Sequence, residues 1–182
     1  NLKESWSSYL YRMRNHSLWK TKNISSWDLS LSGAEELNSL LQISSDIYYF
    51  SIITSTTMKK QNSDFHIPVK GTSIITRTRS KIIGSRNGYW ADGSITTSEW
   101  YENDGVVNSI SMKAPVSKSN GSDATSKYDP EDLLITGQWY WIRIPEMDHW
   151  NIIGHLANKK REETSKFFFT SHLKRLSNLP SR

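Results

Sequence analysis

Two short runs of β-branched and aromatic residues most limit what this chain can build. Asp46 to Thr54 reads Asp-Ile-Tyr-Tyr-Phe-Ser-Ile-Ile-Thr, and Gln138 to Ile144 is rich in Trp and Ile. Near-continuous apolar runs of this length suit strands buried on both faces, as in a parallel sheet covered by helices. Helical patterns flank them. Trp6, Leu10, Met13 and Leu18 recur at roughly helical spacing within 4–19. Ser32, followed three residues on by Glu35, predicts a capping box, because the hydroxyl and the carboxylate satisfy each other's free amides. A helix over 33–43 follows, with Ala34, Leu37, Leu40 and Leu41 on one face. Phe167, Phe168, Leu173 and Leu176 predict a terminal helix over 162–176. Strands alternating with helices assign an α/β class. Two or three good strands are few for a complete doubly wound sheet.

The rest reads as connection. Residues 55–103 are Ser/Thr/Lys-rich, and a stretch that long is usually functional or carries small elements of its own. Val106 to Met112 predicts a short strand or a first helical turn, and 117–132, polar with Gly121 and Pro130, a surface loop.

Composition narrows the function classes. The 182 residues, with 8 Trp and 8 Tyr, suit one domain with a sizeable core. Cysteine is absent, which excludes disulfides, thiolate metal sites and a cysteine nucleophile. No run of about 18 apolar residues predicts a transmembrane helix, and no signal peptide pattern opens the chain. The net charge of +5 raises the prior for an anionic partner. Yet the basic runs Lys59-Lys60, Arg77 to Arg86 and Lys159-Lys160-Arg161 read as solvated faces, and no nucleic-acid motif accompanies them. Asn15, Asn23 and Asn120 each open an Asn-x-Ser pattern, no more than such a composition gives by chance. The chain opens on Asn1-Leu2-Lys3 rather than methionine, so the expectation is a mature form or a piece of something longer.

Three acids or imidazoles stand out. Asp104 lies in Glu102-Asn103-Asp104-Gly105. The plain reading is a tight turn. The functional one is a carboxylate at the carboxyl end of a strand, where open α/β sheets place ligands. His149 follows the second apolar run in Met147-Asp148-His149-Trp150. A single histidine is most often structural, but Asp followed by a later His fits the chain order Ser…Asp…His. There the Asp orients an imidazole that takes a proton from serine. Asp28, ahead of a helix, reads as a carboxylate at a helix start or as a metal ligand whose partners are not evident. Gly-x-Ser-x-Gly occurs nowhere; Ser94 follows Gly93 and Ser122 follows Gly121 without the second glycine.

At this point the residues resemble a family. Trp27-Asp28-Leu29-Ser30-Leu31-Ser32-Gly33-Ala34-Glu35-Glu36-Leu37-Asn38 is one matching segment. The string from Trp100 to Met112, Trp-x-x-Asn-Asp-Gly-x-Val-Asn-x-x-Ser-Met, is the most specific, and Met147 to Gly154 is the third. Together they resemble the C-terminal half of staphylococcal and thermoalkalophilic Bacillus-type triacylglycerol lipases and their eukaryotic relatives, which are α/β-hydrolases. The resemblance covers nearly the whole chain. It implies the C-terminal portion of a single α/β-hydrolase domain spanning 1–182, incomplete by itself. It implies that Asp104 is the catalytic aspartate and His149 the catalytic histidine. Asp28 would help bind a structural zinc with another Asp and two His. Those partners, the nucleophilic serine, the oxyanion hole and the lid belong to an N-terminal half not in this chain. The family's calcium site uses the backbone at the position of Gly71 and acidic side chains after the histidine. Here those positions hold Asn151 and Leu156. Calcium takes several oxygens, usually carboxylates, so the resemblance does not carry a calcium site over.

The reading is therefore a secreted or membrane-system lipase acting on lipid or ester substrates, this chain alone being inactive. The rival readings are a non-catalytic binding module on a lipase-derived scaffold and, less favoured, a basic nucleic-acid or phospholipid-surface binder. An isolated piece of this kind is expected to expose an apolar sheet edge and aggregate.

Overall fold

A computed structural model describes residues 4–115 and 125–180. Asn120, Gly121, Ser122 and the stretch 117–124 of the expected polar loop lie outside the described residues.

The two apolar runs form β1 (Tyr49–Ser55) and a late strand (Trp139–Pro145) that pair in parallel, Tyr49 opposite Trp139 and Thr54 opposite Ile144. Tyr49 and Trp139 stack with ring centroids 4.7 Å apart. In chain order the elements between them are β2 (Thr57–Lys59), β3 (His66–Pro68) and β4 (Thr125–Lys127), which makes the late strand β5. The sheet order is β1-β5-β4, all parallel, while β2 and β3 form a separate antiparallel hairpin.

β4 corrects the expectation of a loop over 117–132. Its Thr-Ser-Lys sequence carries no strand signal, but backbone amides pair with β5 whatever the side chains. An edge position tolerates polar residues. Burial is also less even than the runs predict. The carboxyl end of β1 is buried and its amino half only partly so. Among the described residues no strand pairs with its far edge.

The helices are α1 (Trp6–Arg14), α2 (Ser25–Asp28), α3 (Leu31–Leu40), α4 (Ile74–Ile83) and α5 (Lys159–Ser177). The helix expected over 4–19 stops at Arg14. His16 Nδ1 accepts the Leu18 amide at 3.2 Å and starts a separate 3-10 turn, Ser17–Lys20. A side chain that bonds nearby backbone competes with helix continuation. The capping box is displaced as well. Ser30, not Ser32, is the cap: its hydroxyl accepts the Gly33 amide (3.0 Å) and donates to the Trp27 carbonyl (2.6 Å). The chain folds back so closely from α2 into α3 that a Cβ on Gly33 would stand 2.0 Å from the Trp27 oxygen. α5 matches the expected terminal helix with three more residues at its start, where Asn158 caps the Arg161 amide (3.0 Å). The long connection carries β2, β3 and α4, and Val106 to Met112 ends in a 3-10 turn, Ser109–Met112.

Ile53, Tyr101, Tyr140, Ile144 and Met147 form the buried apolar core. More polar side chains than apolar ones are buried among the described residues, and they gather at the carboxyl ends of β1 and β5. Sheet parallelism brings those ends together, and the loops that leave them carry the candidate residues.

Candidate active site

The loop carrying Asp104 docks on the end of β1 rather than continuing a strand. The Thr56 amide donates to the Asn103 carbonyl (2.9 Å), and the Asn103 amide to Thr57 Oγ1 (3.1 Å). Asn103 is fully buried and organises the turn. Its amide nitrogen donates to the Ser80 and Tyr101 carbonyls (3.1 and 2.9 Å), and its Oδ1 accepts the Gly105 amide (2.9 Å). Gly105 has φ +92, and a Cβ there would meet Thr76 Cβ at 2.6 Å, so backbone conformation and space both demand glycine.

This turn holds the Asp104 carboxylate out of solvent among four donors. Oδ1 accepts the Val106 and Val107 amides at 3.0 Å each; Oδ2 accepts Thr54 Oγ1 (2.9 Å) and His149 Nδ1 (2.8 Å). The Thr54 carbonyl is itself tied by the Ser109 hydroxyl at 2.7 Å. Bonds to an ionised acceptor contribute about 1.5–3 kcal/mol each, so the carboxylate is fixed in position and direction. The turn and the oriented carboxylate are one structure, since the same backbone amides that close the Asn-Asp-Gly turn hold Asp104 Oδ1.

His149 arrives from the other strand. Met147, buried after β5, donates its amide to the Ser55 carbonyl (2.9 Å), and the His149 amide donates to the Asp104 carbonyl (3.1 Å). Nδ1 facing Asp104 fixes the tautomer with its proton there, leaving Nε2 as the acceptor. The side chain is 40% exposed, and Trp150 stands perpendicular to it at 5.4 Å. Among the described residues no serine hydroxyl bonds the imidazole. The pair can orient an imidazole and stabilise it as an imidazolium, but it contains no nucleophile.

Three residues to which the sequence assigned no role in the site support the pair. Thr54 is the first. Asp148, fully buried beside His149, is the second. Its Oδ1 accepts the Trp150 and Asn151 amides (3.0 Å each), and its Oδ2 accepts the Ser73 amide (3.3 Å) and Thr76 Oγ1 (3.0 Å). It therefore joins the His149 turn to the first turn of α4. Arg161 is the third. It was expected on a solvated face with Lys159 and Lys160, but it is 8% exposed. Its Nη1 donates to the Gly71 carbonyl and to Asn151 Oδ1 (3.1 Å). Burial cannot be read from a Lys-Lys-Arg run, since it depends on which helix face meets the His149 turn. A signal existed at Asp148: an acid immediately before the candidate histidine.

Asp28 stands apart, exposed at the end of α2. Among the described residues no three His, Cys, Asp or Glu side chains gather as a metal site. Calcium does not fit its expected position. Gly71 O and Asn151 Oδ1 both face the Arg161 guanidinium, Leu156 has no side-chain oxygen, and both Asp148 oxygens are engaged.

Known proteins share this arrangement of elements. A family model described as lipase-like, C-terminal domain matches residues 1–176. Lipase 1 of Staphylococcus aureus is 27% identical over 177 residues, covering 91% of this chain and 22% of that protein. A lipase of Staphylococcus epidermidis is 27% identical over 175 residues, with the same coverage. Among solved structures, EstA from Clostridium botulinum superposes with a TM-score of 0.71 at 31% identity, over 93% of this chain and 39% of that one. Staphylococcus hyicus lipase gives 0.72 at 24% identity, over 100% and 45%, and supports the fold alone. Lipase 1 from Pelosinus fermentans gives 0.69 at 28% identity, over 100% and 46%. The chain thus spans 22% of the staphylococcal relatives and less than half of each structural neighbour. Its sheet and helices are those of a partial α/β-hydrolase fold.

Proposed function

The chain belongs to the lipase-like C-terminal domain family, and from that premise we propose that it carries the aspartate and histidine of a Ser-His-Asp carboxylic ester hydrolase. The nucleophilic serine comes from outside this chain. The supporting observation is the 2.8 Å bond between His149 Nδ1 and the fully buried, fourfold-bonded Asp104. His149 takes the serine proton at Nε2 as the hydroxyl attacks the ester carbonyl, then returns a proton to the departing alcohol. Asp104 holds the tautomer and stabilises the imidazolium. The substrates are lipid or other carboxylic esters, a reading supported by the name lipase that the relatives carry, and they are met at a lipid–water interface.

Zinc, if bound by the longer protein, is structural in this reading. Asp28 is the one ligand from this chain. Zinc content that falls in Asp28→Ala of the longer protein supports it, and unchanged content removes it.

The catalytic reading is tested with p-nitrophenyl butyrate and tributyrin. The chain alone should give only background hydrolysis. The product of the longer reading frame that includes the preceding segment should turn over, and His149→Ala there should abolish turnover. Hydrolysis by the isolated chain that His149→Ala abolishes, or a longer product without esterase activity, overturns the proposal.

A further inference from the structure

We infer that Arg161 is a built-in cation that locks the His149 turn, doing with a side chain what a bound divalent ion does in an oxygen-lined cradle. Two neutral oxygens from distant segments converge on one buried guanidinium: the Gly71 carbonyl before α4, and Asn151 Oδ1 two residues after His149. Among the described residues no carboxylate pairs with it. A buried charge without an opposite charge is costly unless its hydrogen bonds are specific, and here they are.

Helix electrostatics do not explain the residue. Arg161 lies in the first turn of α5, the end whose free amides disfavour a cation. The helix nonetheless delivers a positive charge there, and the oxygens it meets belong to other segments. Asn151 passes the constraint on. Its side-chain nitrogen donates to the His155 carbonyl (3.2 Å), and its backbone amide to Asp148 Oδ1 (3.0 Å). Ser165 Oγ fastens the same turn by donating to the Ile152 carbonyl (2.6 Å). Asp148 clamps the turn to α4 and Arg161 clamps it to α5 and to Gly71, so His149 is held from both sides. A planar guanidinium presents its donors in a fixed fork and so bridges two acceptors, which an ammonium point charge does poorly. Arg161 is thus a positioning residue, acting on His149 through Asn151. Its role in holding the turn does not depend on whether the pair hydrolyses esters.

The test uses the chain itself, at a concentration where light scattering shows it monomeric, and reads no turnover. Long-range 1H–15N NMR reports the His149 tautomer, and thermal melts are run with millimolar calcium chloride or with EDTA. The wild-type chain should show a single Nδ1–H tautomer and the same melting temperature in calcium and EDTA. Arg161→Ala should average the His149 tautomers, and millimolar ethylguanidinium should restore the single state. Arg161→Lys, which keeps the charge and the better chance of folding, should give an intermediate spectrum. An unchanged His149 tautomer in both Arg161→Ala and Arg161→Lys overturns the inference. So does a wild-type chain whose melting temperature rises in calcium and falls in EDTA, because the cradle would then take a metal.

Discussion

The turn cluster at the carboxyl ends of β1 and β5 and the helical segment of residues 4–47 are stabilised by opposite means. Around Asp104 and His149 the buried side chains are mostly polar, and Asn103, Asp104, Asp148 and Asn151 are fully enclosed with their hydrogen bonds met inside the chain. In α1 and α2 no residue is buried, and in α3 only Gly33 is. Trp6, Tyr11, Leu29 and Leu40 there are largely exposed. A polar cluster is rigid because leaving any buried partner unsatisfied is expensive. An amphipathic helix with an open apolar face owes the sheet little. Substitutions should therefore cost much in the first region and little in the second.

Asp148→Ala should be the most damaging. It strips the acceptor from the Ser73, Trp150 and Asn151 amides and the Thr76 hydroxyl, and should cost about 3–5 kcal/mol in urea unfolding. A loss below about 1 kcal/mol would break the comparison. Gly105→Ala comes next, at about 2–3 kcal/mol, from its positive φ and the Thr76 clash. Thr54→Val removes one of the four donors to Asp104 while conserving shape. A loss of about 1–2 kcal/mol in urea unfolding, with His149 less strictly held in one tautomer by NMR, is expected. Leu29→Ala in the helical segment should stay within about 0.5 kcal/mol, and a larger loss would mean that this face is covered in solution.

The smallest effect concerns pH and lies in the hairpin. Burial lowers the His66 imidazole below its ordinary value; Glu102 opposes this, and Lys59 and Arg143 add to it. The unfolded chain then binds more protons than the folded one within that window, so stability rises with pH. The contribution is complete above about 6.5, the ordinary imidazole value, and is lost as pH falls through the lowered folded value. Melting temperatures from pH 5 to 7.5 should climb, and His66→Gln should flatten the climb. An equal slope in that variant would assign the effect elsewhere, His172 being next, since its imidazole is lowered by burial and by Arg175.

Strands β1 and β5, the terminal helix, and Asp104 and His149 as candidates were legible because each has a local signature. Apolar runs make buried strands, Asn-Asp-Gly makes a turn, and the string from Trp100 to Met112 resembles one family. β4 was not legible, because backbone pairing at a sheet edge leaves no trace in Thr-Ser-Lys. The cap at Ser30 was missed in favour of Ser32, since two serines near one helix start look alike until the α2 turn selects one.

The sequence by itself determined the α/β class and the two strands, and it singled out Asp104 and His149 as candidates, all from short windows of chain. Only the tertiary structure decided that Asp104 and His149 meet at 2.8 Å, that Thr54 and Asp148 brace them, and that Arg161 leaves its basic run for the interior. Those facts depend on parallel strands bringing together loops distant in sequence, and no local pattern encodes such distances.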